Sequence, residues 1–301
     1  MNPIDLINNV ILGDVRDIAP QIPDNMFQAI ITSPPYFGHR TYSKKKNSQE
    51  IGQEGNVTNY VEHLVDVFSK LMSKLKDDGL LWLNLGDTYR DSNLLGIPWR
   101  VALALKDKGW LLRSDVIWYK PNAMPSSIKT RPTPAHEYVF MFAKSSNYYY
   151  DADSIREPHV TFSKESKMKG GRNHFGKRHG TPELGKNTGN HNLHDGRWDQ
   201  AFHPLGRNKR TLWEISLSKF KGTHFAVFPE KLVETCLRVS TKEDDLVLDP
   251  FCGSGTTGAV ALRHGRRFVG IELVEEYRDM SIKRLLQASL LSNHHSEEQR
   301  P

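Results

Sequence analysis

The chain is 301 residues long, 38% hydrophobic and 25% charged, with a formal net charge of +6. Those proportions describe a folded chain with room for one large α/β domain or two smaller ones, and they exclude a disordered or collagen-like one. No apolar stretch approaches the roughly 18 residues that a membrane span needs. The N-terminal MNPIDLINNVILGD has no basic region ahead of its apolar run, so a cytoplasmic location is expected, without a membrane partner. Two cysteines, Cys236 and Cys252, leave little case for a disulfide.

Val10–Leu12 reads as a short strand ending at Gly13-Asp14. After a short helix or turn, Phe27–Thr32 reads as a buried strand. It runs into Thr32-Ser33-Pro34-Pro35-Tyr36. Two consecutive prolines fix φ and supply no N–H, so the turn is stiff and offers carbonyl acceptors. Ser33 adds a hydroxyl before them, and Tyr36 adds a flat aromatic face after them. Such a cradle suits a planar group with an exocyclic amine, for example a nucleobase drawn out of its stack. An ordinary proline-rich turn has the same composition. Residues 37–57 are polar, and Lys44 and Lys45 suit either a solvated loop or a lid that touches DNA.

Asn59–Leu75 has apolar residues at helical spacing, and Leu80–Leu85 is a continuous apolar strand ending at Gly86-Asp87. Ile97–Lys108 carries an apolar face, with Pro98 in its first turn. Trp110–Tyr119 and Glu137–Ala143 are strand-like, and the linker from Lys120 to His136 holds four prolines.

Residues 155–210 lack an apolar period and hold 12 Lys and Arg against 5 Asp and Glu, a local +7, whereas the remainder sums to −1. That is the electrostatic footprint of a surface that binds a polyanion. Phe162, Phe175, Trp198 and Phe202 are enough for a small loop-rich subdomain. Arg172, Lys177, Arg178, Arg197 and Arg207 are candidates for phosphate or base contacts. The six histidines of this segment come without cysteines, so no metal site is expected.

Regular structure resumes with Thr211–Ile215, a helix over Pro229–Val239 and a strand over Asp245–Leu248. Asp249-Pro250-Phe251-Cys252-Gly253-Ser254-Gly255-Thr256-Thr257-Gly258 then opens a helix to His264. A strand over Arg267–Leu273 and a helix over Glu275–Leu291 follow, and residues 292–301 are expected to fray. The alternation of strands and helices predicts a mostly parallel α/β sheet. Gly253, Gly255 and Gly258 have the spacing of a dinucleotide fingerprint, and Glu272 ends the next strand, where a carboxylate can accept from vicinal ribose hydroxyls. An NAD-type site is therefore a competitor. Asp249 at the loop's start argues against it, because a carboxylate there would face a pyrophosphate. Asp14 offers an acceptor for an adenine amine, and an adenosine with a cationic tail fits the set. Cys252 reads as a small buried residue, not a nucleophile.

TSPPY near the N-terminus, with DPFCGSGTTG and VGIE some 215 residues later, resembles the β-class DNA amino-methyltransferases, in which the catalytic motif precedes the cofactor motif. The resemblance implies a Rossmann-like sheet, mostly parallel with one antiparallel strand, in permuted motif order and with a small DNA-recognition insert. It divides the chain into a catalytic half (1–154), a target-recognition insert (155–210), a cofactor-binding half (211–291) and a tail (292–301). It implies S-adenosyl-L-methionine as cofactor, double-stranded DNA as substrate and a separately acting restriction endonuclease as a possible system partner. Carried over residue by residue, Ser33, Pro34, Pro35 and Tyr36 form the catalytic loop. Asp14, Asp249, Phe251, Gly253, Gly255, Thr256 and Glu272 bind cofactor, joined by His224 and Phe228 from the run HFAVFPEK. Gly86-Asp87-Thr88-Tyr89 resembles an element near the flipped base. Ser in place of Asp before the two prolines associates with cytosine N4 within the class, with adenine N6 as the alternative. A non-catalytic DNA-binding protein is a further alternative, weakened because each motif residue needed for chemistry is present.

Overall fold

The computed structural model describes residues 6–38, 50–159, 203–217 and 229–297. Packing divides the chain into two units, residues 1–151 with 210–301, and residues 152–209.

The first unit begins with β1 (Asn9–Leu12), a four-residue helix α1 (Val15–Ile18) and β2 (Phe27–Thr32). Helix α2 (Val57–Met72) follows, its N-terminus capped where the Asn56 side chain accepts from the Asn59 N–H. Its inward face is built by Tyr60, Leu64, Val67, Phe68 and Leu71, all buried. The chain passes directly into β3 (Leu75–Leu85), which is longer than Leu80–Leu85 and takes in Leu75, the last residue of the predicted helix. Leu75 pairs with Phe27, and the pairing then shifts so that Ala29 meets Leu80, with a bulge between. A two-stranded ribbon, β4 (Tyr89–Arg90) and β5 (Asn93–Leu94), precedes α3 (Ile97–Asp107). The remaining elements are β6 (Leu111–Tyr119), β7 (His136–Ala143), β8 (Leu212–Glu214), α4 (Glu230–Ser240), β9 (Leu246–Asp249), α5 (Thr256–Arg263), β10 (Arg267–Glu272) and α6. Helix α6 (Glu275–Glu297) runs past the predicted end at Leu291.

Among the described residues the main sheet has eight strands in the order β1-β10-β9-β2-β3-β7-β6-β8. Every neighbouring pair is parallel except β3/β7 and β6/β7, so β7 alone is reversed. All residues of β2 and of β9 are buried, as expected for central strands covered on both faces. From β9 the chain crosses through α5 to β10, and from β2 it crosses through α2 to β3 on the opposite side. The gap between β2 and β9 is thus where strand order reverses, the position at which open α/β sheets bind ligands at their carboxyl edge. The reversal of β7 matters for the same edge. It brings the start of that strand, His136 and Glu137, beside the ends of β3 and β6.

In the second unit the described segments 152–159 and 203–209 are joined by an antiparallel bridge between Glu157 and Arg207. Gly206 permits it, because a Cβ there would lie 2.2 Å from the Glu157 carbonyl oxygen. No described helix is long and apolar enough to cross a membrane.

Candidate active site

The carboxyl edge encloses a cavity of about 450 Å³, within the usual range for small-molecule sites. Its walls come from both sequence motifs. Ser33, Pro34, Pro35 and Tyr36 line it, as do Phe251, Gly253 and Glu272.

A buried hydrogen-bond junction ties the two motifs together. Thr32 Oγ1 donates to Asp249 Oδ1 at 2.6 Å, across 217 residues of sequence, and Thr257 Oγ1 donates to Oδ2 at 2.7 Å. The Phe251 N–H adds a third donor at 3.1 Å. Asp249 is only 4% exposed. Burial pushes its carboxyl up to about 6 against the pull of those donors. Asp249 therefore does not face the cavity, and the sequence argument that its carboxylate would oppose a pyrophosphate is corrected. Three of its acceptor positions are taken, by Thr32 of β2, Thr257 of α5 and the N–H of Phe251 in its own loop. Gly255 and Thr256 also lie outside the cavity wall. Gly255 has φ +78° and a Cβ there would approach Ser281 Cβ to 2.8 Å, so glycine serves the turn and the close approach of α6. Thr256 Oγ1 accepts from Arg284 Nη1 at 2.9 Å.

At one end of the cavity Glu272 closes β10. Its carboxylate accepts the Gly253 N–H at 2.7 Å and the Val274 N–H at 2.9 Å. Burial raises its carboxyl above the ordinary range, opposed by those two N–H donors. A carboxylate has about four acceptor positions, so these backbone donors leave capacity for a ligand hydroxyl. Asp14 caps α1, and Arg16 grips both of its oxygens, Nε at 2.9 Å and Nη2 at 2.5 Å. Burial alone would raise the Asp14 carboxyl, but the Arg16 hydrogen bonds outweigh it and hold the group below its usual value. Asp14 lines the wall, yet most of its capacity is already committed. His224 and Phe228 lie outside the described residues.

At the other end, the side chains hold one another. Tyr36 Oη donates to Glu137 Oε2 at 2.7 Å, and Ser33 Oγ donates to Tyr36 Oη at 3.3 Å. The Asn84 amide nitrogen reaches Tyr36 Oη at 2.7 Å, Glu137 Oε2 at 2.9 Å and Ser33 Oγ at 3.2 Å. Lys120 Nζ pairs with Glu137 Oε1 and lies 4.4 Å from the centroid of the Trp118 ring. Burial first, and then the Glu137 charge, push the Tyr36 hydroxyl well above the ordinary tyrosine range, so it stays a neutral donor. Tyr60 Oη donates to the Pro35 carbonyl at 2.8 Å, which fixes the proline turn from α2. Gly86 makes room for the aromatic ring: a Cβ there would sit 2.5 Å from Tyr36 Cε2. Asp87 Oδ1 accepts from the N–H groups of Thr88 and Ile97, capping the approach to α3.

Sequence reasoning missed Asn84, Lys120 and Glu137. The signals were a lone amide in the apolar run LLWLNL and two charged residues flanking a proline-rich linker. Among the predicted DNA contacts, Arg207 is described and its Nη2 is engaged with Glu157 Oε2 at 3.3 Å. Lys44, Lys45, Arg172, Lys177, Arg178 and Arg197 lie outside the described residues. Cys252 touches the cavity, but burial pushes its thiol far above the usual range, against a nucleophilic role. No group of His, Cys, Asp and Glu among the described residues is arranged to hold a metal ion.

The fit of S-adenosyl-L-methionine rests on charge and shape. The cavity wall carries five carboxylate side chains, Asp14, Glu50, Asp87, Glu137 and Glu272, against one lysine. Such a wall favours a cationic ligand and disfavours a pyrophosphate. Phe251, Leu273, Val274 and Tyr277 give the Glu272 end apolar surface for a purine.

A family model described as DNA methylase, of the N6/N4 type, matches residues 27–283. The chain is 37% identical to the type II methyltransferase M.Cfr9I of Citrobacter freundii, covering 91% of this chain and 86% of that one. It is 36% identical to the type II methyltransferase M.SmaI of Serratia marcescens, over 92% and 90%. In structure it is similar to the PvuII DNA methyltransferase, described as cytosine-N4-specific, with a TM-score of 0.65 and 22% identity over 96% and 94% of the two chains. It is also similar to M1.HpyAVI solved as a complex with S-adenosylmethionine, with a TM-score of 0.56 and 20% identity over 92% and 98%. The chain belongs to the N6/N4 DNA methylase family and is a DNA methyltransferase with an S-adenosylmethionine-dependent methyltransferase fold.

Proposed function

We propose that the chain is a site-specific methyltransferase of a type II restriction–modification system that methylates the exocyclic N4 amine of cytosine in duplex DNA. The observation that carries this reading is the single cavity in which Ser33, Pro34 and Tyr36 meet Gly253 and Glu272. S-adenosyl-L-methionine, when bound, supplies the methyl as an electrophilic carbon. Glu272, Gly253, Phe251 and Asp14 are the groups that would hold it.

The target nitrogen is a poor nucleophile because its lone pair is delocalised into the ring. Ser33 Oγ and the Pro34 carbonyl accept from its two N–H groups and favour a more pyramidal, more nucleophilic geometry. Tyr60, through Pro35, keeps that carbonyl turn rigid. Holding the amine in line contributes through proximity, which reaches about 7–11 kcal/mol in well-aligned systems. The ring of Tyr36 offers the base a stacking face, worth about 1–3 kcal/mol on aromatic platforms. Base flipping brings the target out of the duplex, and the positive segment 155–210 supplies a surface for the phosphates.

Support for cytosine is the serine of TSPPY together with the likeness to a methyltransferase described as cytosine-N4-specific. The test is to methylate DNA with the purified protein, digest it to nucleosides and identify the product. N4-methylcytosine is expected. N6-methyladenine alone would replace the cytosine assignment, and DNA binding without methyl transfer would leave a non-catalytic binder.

A further inference from the structure

We propose that Glu137 is the terminal acceptor of the proton shed by the target amine, reached from Ser33 through the hydroxyl of Tyr36. The inference rests on the amino-methyltransferase reading above and gives a chemical role to Asn84, Lys120 and Glu137, which no sequence motif joins to Ser33 and Tyr36.

An amine nitrogen that has taken a methyl carries a positive charge and one surplus proton. Ser33 Oγ is the acceptor nearest to it in the proposed geometry, but a serine hydroxyl is a poor base unless it passes on its own proton. The structure gives it an outlet. Ser33 Oγ donates to Tyr36 Oη, and Tyr36 Oη donates to Glu137 Oε2 at 2.7 Å. The first link, 3.3 Å, is longer than an ordinary O–H···O contact. Such links are often slack before substrate binds and tighten in the complex.

Direction is imposed by Asn84. Its amide nitrogen can only donate, and it lies within 3.2 Å of Ser33 Oγ, 2.7 Å of Tyr36 Oη and 2.9 Å of Glu137 Oε2. With donors occupying lone pairs on the two hydroxyls, their own protons point down the line toward the carboxylate. Three of the other carboxylates of the wall are committed elsewhere: Asp14 to Arg16, Glu272 to backbone N–H groups, Asp87 to Thr88 and Ile97. Lys120 pairs with the far oxygen of Glu137 and also faces Trp118. It therefore keeps a partner for its charge when Glu137 becomes neutral.

The step balances. The N–H bond breaks and its electron pair stays on nitrogen, which becomes a neutral methylated amine. Ser33 Oγ takes that proton and passes its own to Tyr36 Oη, which passes its own to Glu137 Oε2. Ser33 and Tyr36 end unchanged, and Glu137 ends as a neutral acid that releases the proton to water when product leaves.

The experiment is a single-turnover measurement on preformed enzyme–DNA–cofactor complexes of wild type, Glu137→Gln, Tyr36→Phe and the double variant. Tyr36→Phe keeps the ring and the Lys120–Glu137 pair, so it interrupts the line even if Glu137→Gln folds poorly. Each single change is expected to slow transfer about a hundredfold. The double variant should be no slower than the slower single, because both break the same line. Dissociation constants for DNA and for cofactor should stay within about threefold of wild type. An infrared difference spectrum of the wild-type product complex should show a protonated carboxyl band that Glu137→Gln lacks. Transfer by Tyr36→Phe at the wild-type rate, or multiplicative losses in the double variant, would overturn the relay. A wild-type protein that transfers no methyl to DNA would instead remove the activity beneath it.

Discussion

The two ends of the cavity are built on different principles. At the Glu272 end, acidic side chains are held by their own neighbourhoods: Glu272 by the N–H groups of Gly253 and Val274, Asp14 by Arg16 two residues on. At the Tyr36 end, the polar groups come from four separate segments and hold one another: Ser33 and Tyr36 after β2, Asn84 in β3, Lys120 after β6, Glu137 in β7. A ligand-holding end needs fixed acceptors, which local backbone supplies. An end that does proton chemistry needs hydroxyls, an amide and a carboxylate in line, which only the assembled sheet supplies.

Outside Ser33 and the line from Tyr36 to Glu137, the largest effect on the transfer rate is expected from Gly86→Ala. The added Cβ falls 2.5 Å from Tyr36 Cε2, so the ring must shift and its contacts to Glu137 and Asn84 open. Methyl transfer should fall at least about tenfold, with about 1–3 kcal/mol lost in a denaturant titration. Unchanged transfer would show that the Tyr36 end tolerates slack and would blur the contrast between the two ends.

Glu272→Ala should act at the opposite end alone. Two N–H donors lose their acceptor, and hydrogen bonds to charged groups are worth about 1.5–3 kcal/mol. Calorimetry should show cofactor binding weakened by about 10- to 100-fold, and saturating cofactor should restore most of the transfer rate. A loss of rate that cofactor cannot restore would move Glu272 to the chemical end.

The smallest effect concerns the junction between the ends. Asp249 titrates near pH 6 when folded and near 3.9 when unfolded. From about pH 4 to 6 the folded state keeps a proton that the unfolded state has released. The stability contribution is therefore full below about pH 4 and is lost as pH rises through 6. Between pH 5 and 7.5 this amounts to about 1 kcal/mol of stability. Asp249→Asn should flatten that slope in denaturant titrations at the two pH values. An unaltered slope would mean that another group carries it.

The same contrast explains what could be read from sequence. The Glu272 end was legible because its parts are local: Gly253 and Glu272 sit on one strand–loop–helix–strand passage. The Ser33 loop was legible for the same reason. Asn84, Lys120 and Glu137 were not, because they meet only once β7 runs backwards between β3 and β6. Asp249 was placed in the right loop but aimed the wrong way, since nothing local reveals that Thr32 and Thr257 will claim both its oxygens. In the fold, β2 was legible end to end, whereas the α2/β3 boundary was not. The apolar period of the helix continues into Leu75, which pairs with Phe27 instead. The β4–β5 ribbon was missed because Asp91 and Ser92 take positive φ at its turn without the usual glycine.

The division of labour between the two ends is tested most directly by Ser33→Ala, with the cofactor dissociation constant and the single-turnover methyl-transfer rate measured on one preparation. The rate should fall by about a hundredfold or more, with cofactor affinity within about twofold of wild type. Equal losses in both would contradict it, because the hydroxyl would then belong to the binding of the donor and not to the handling of the amine.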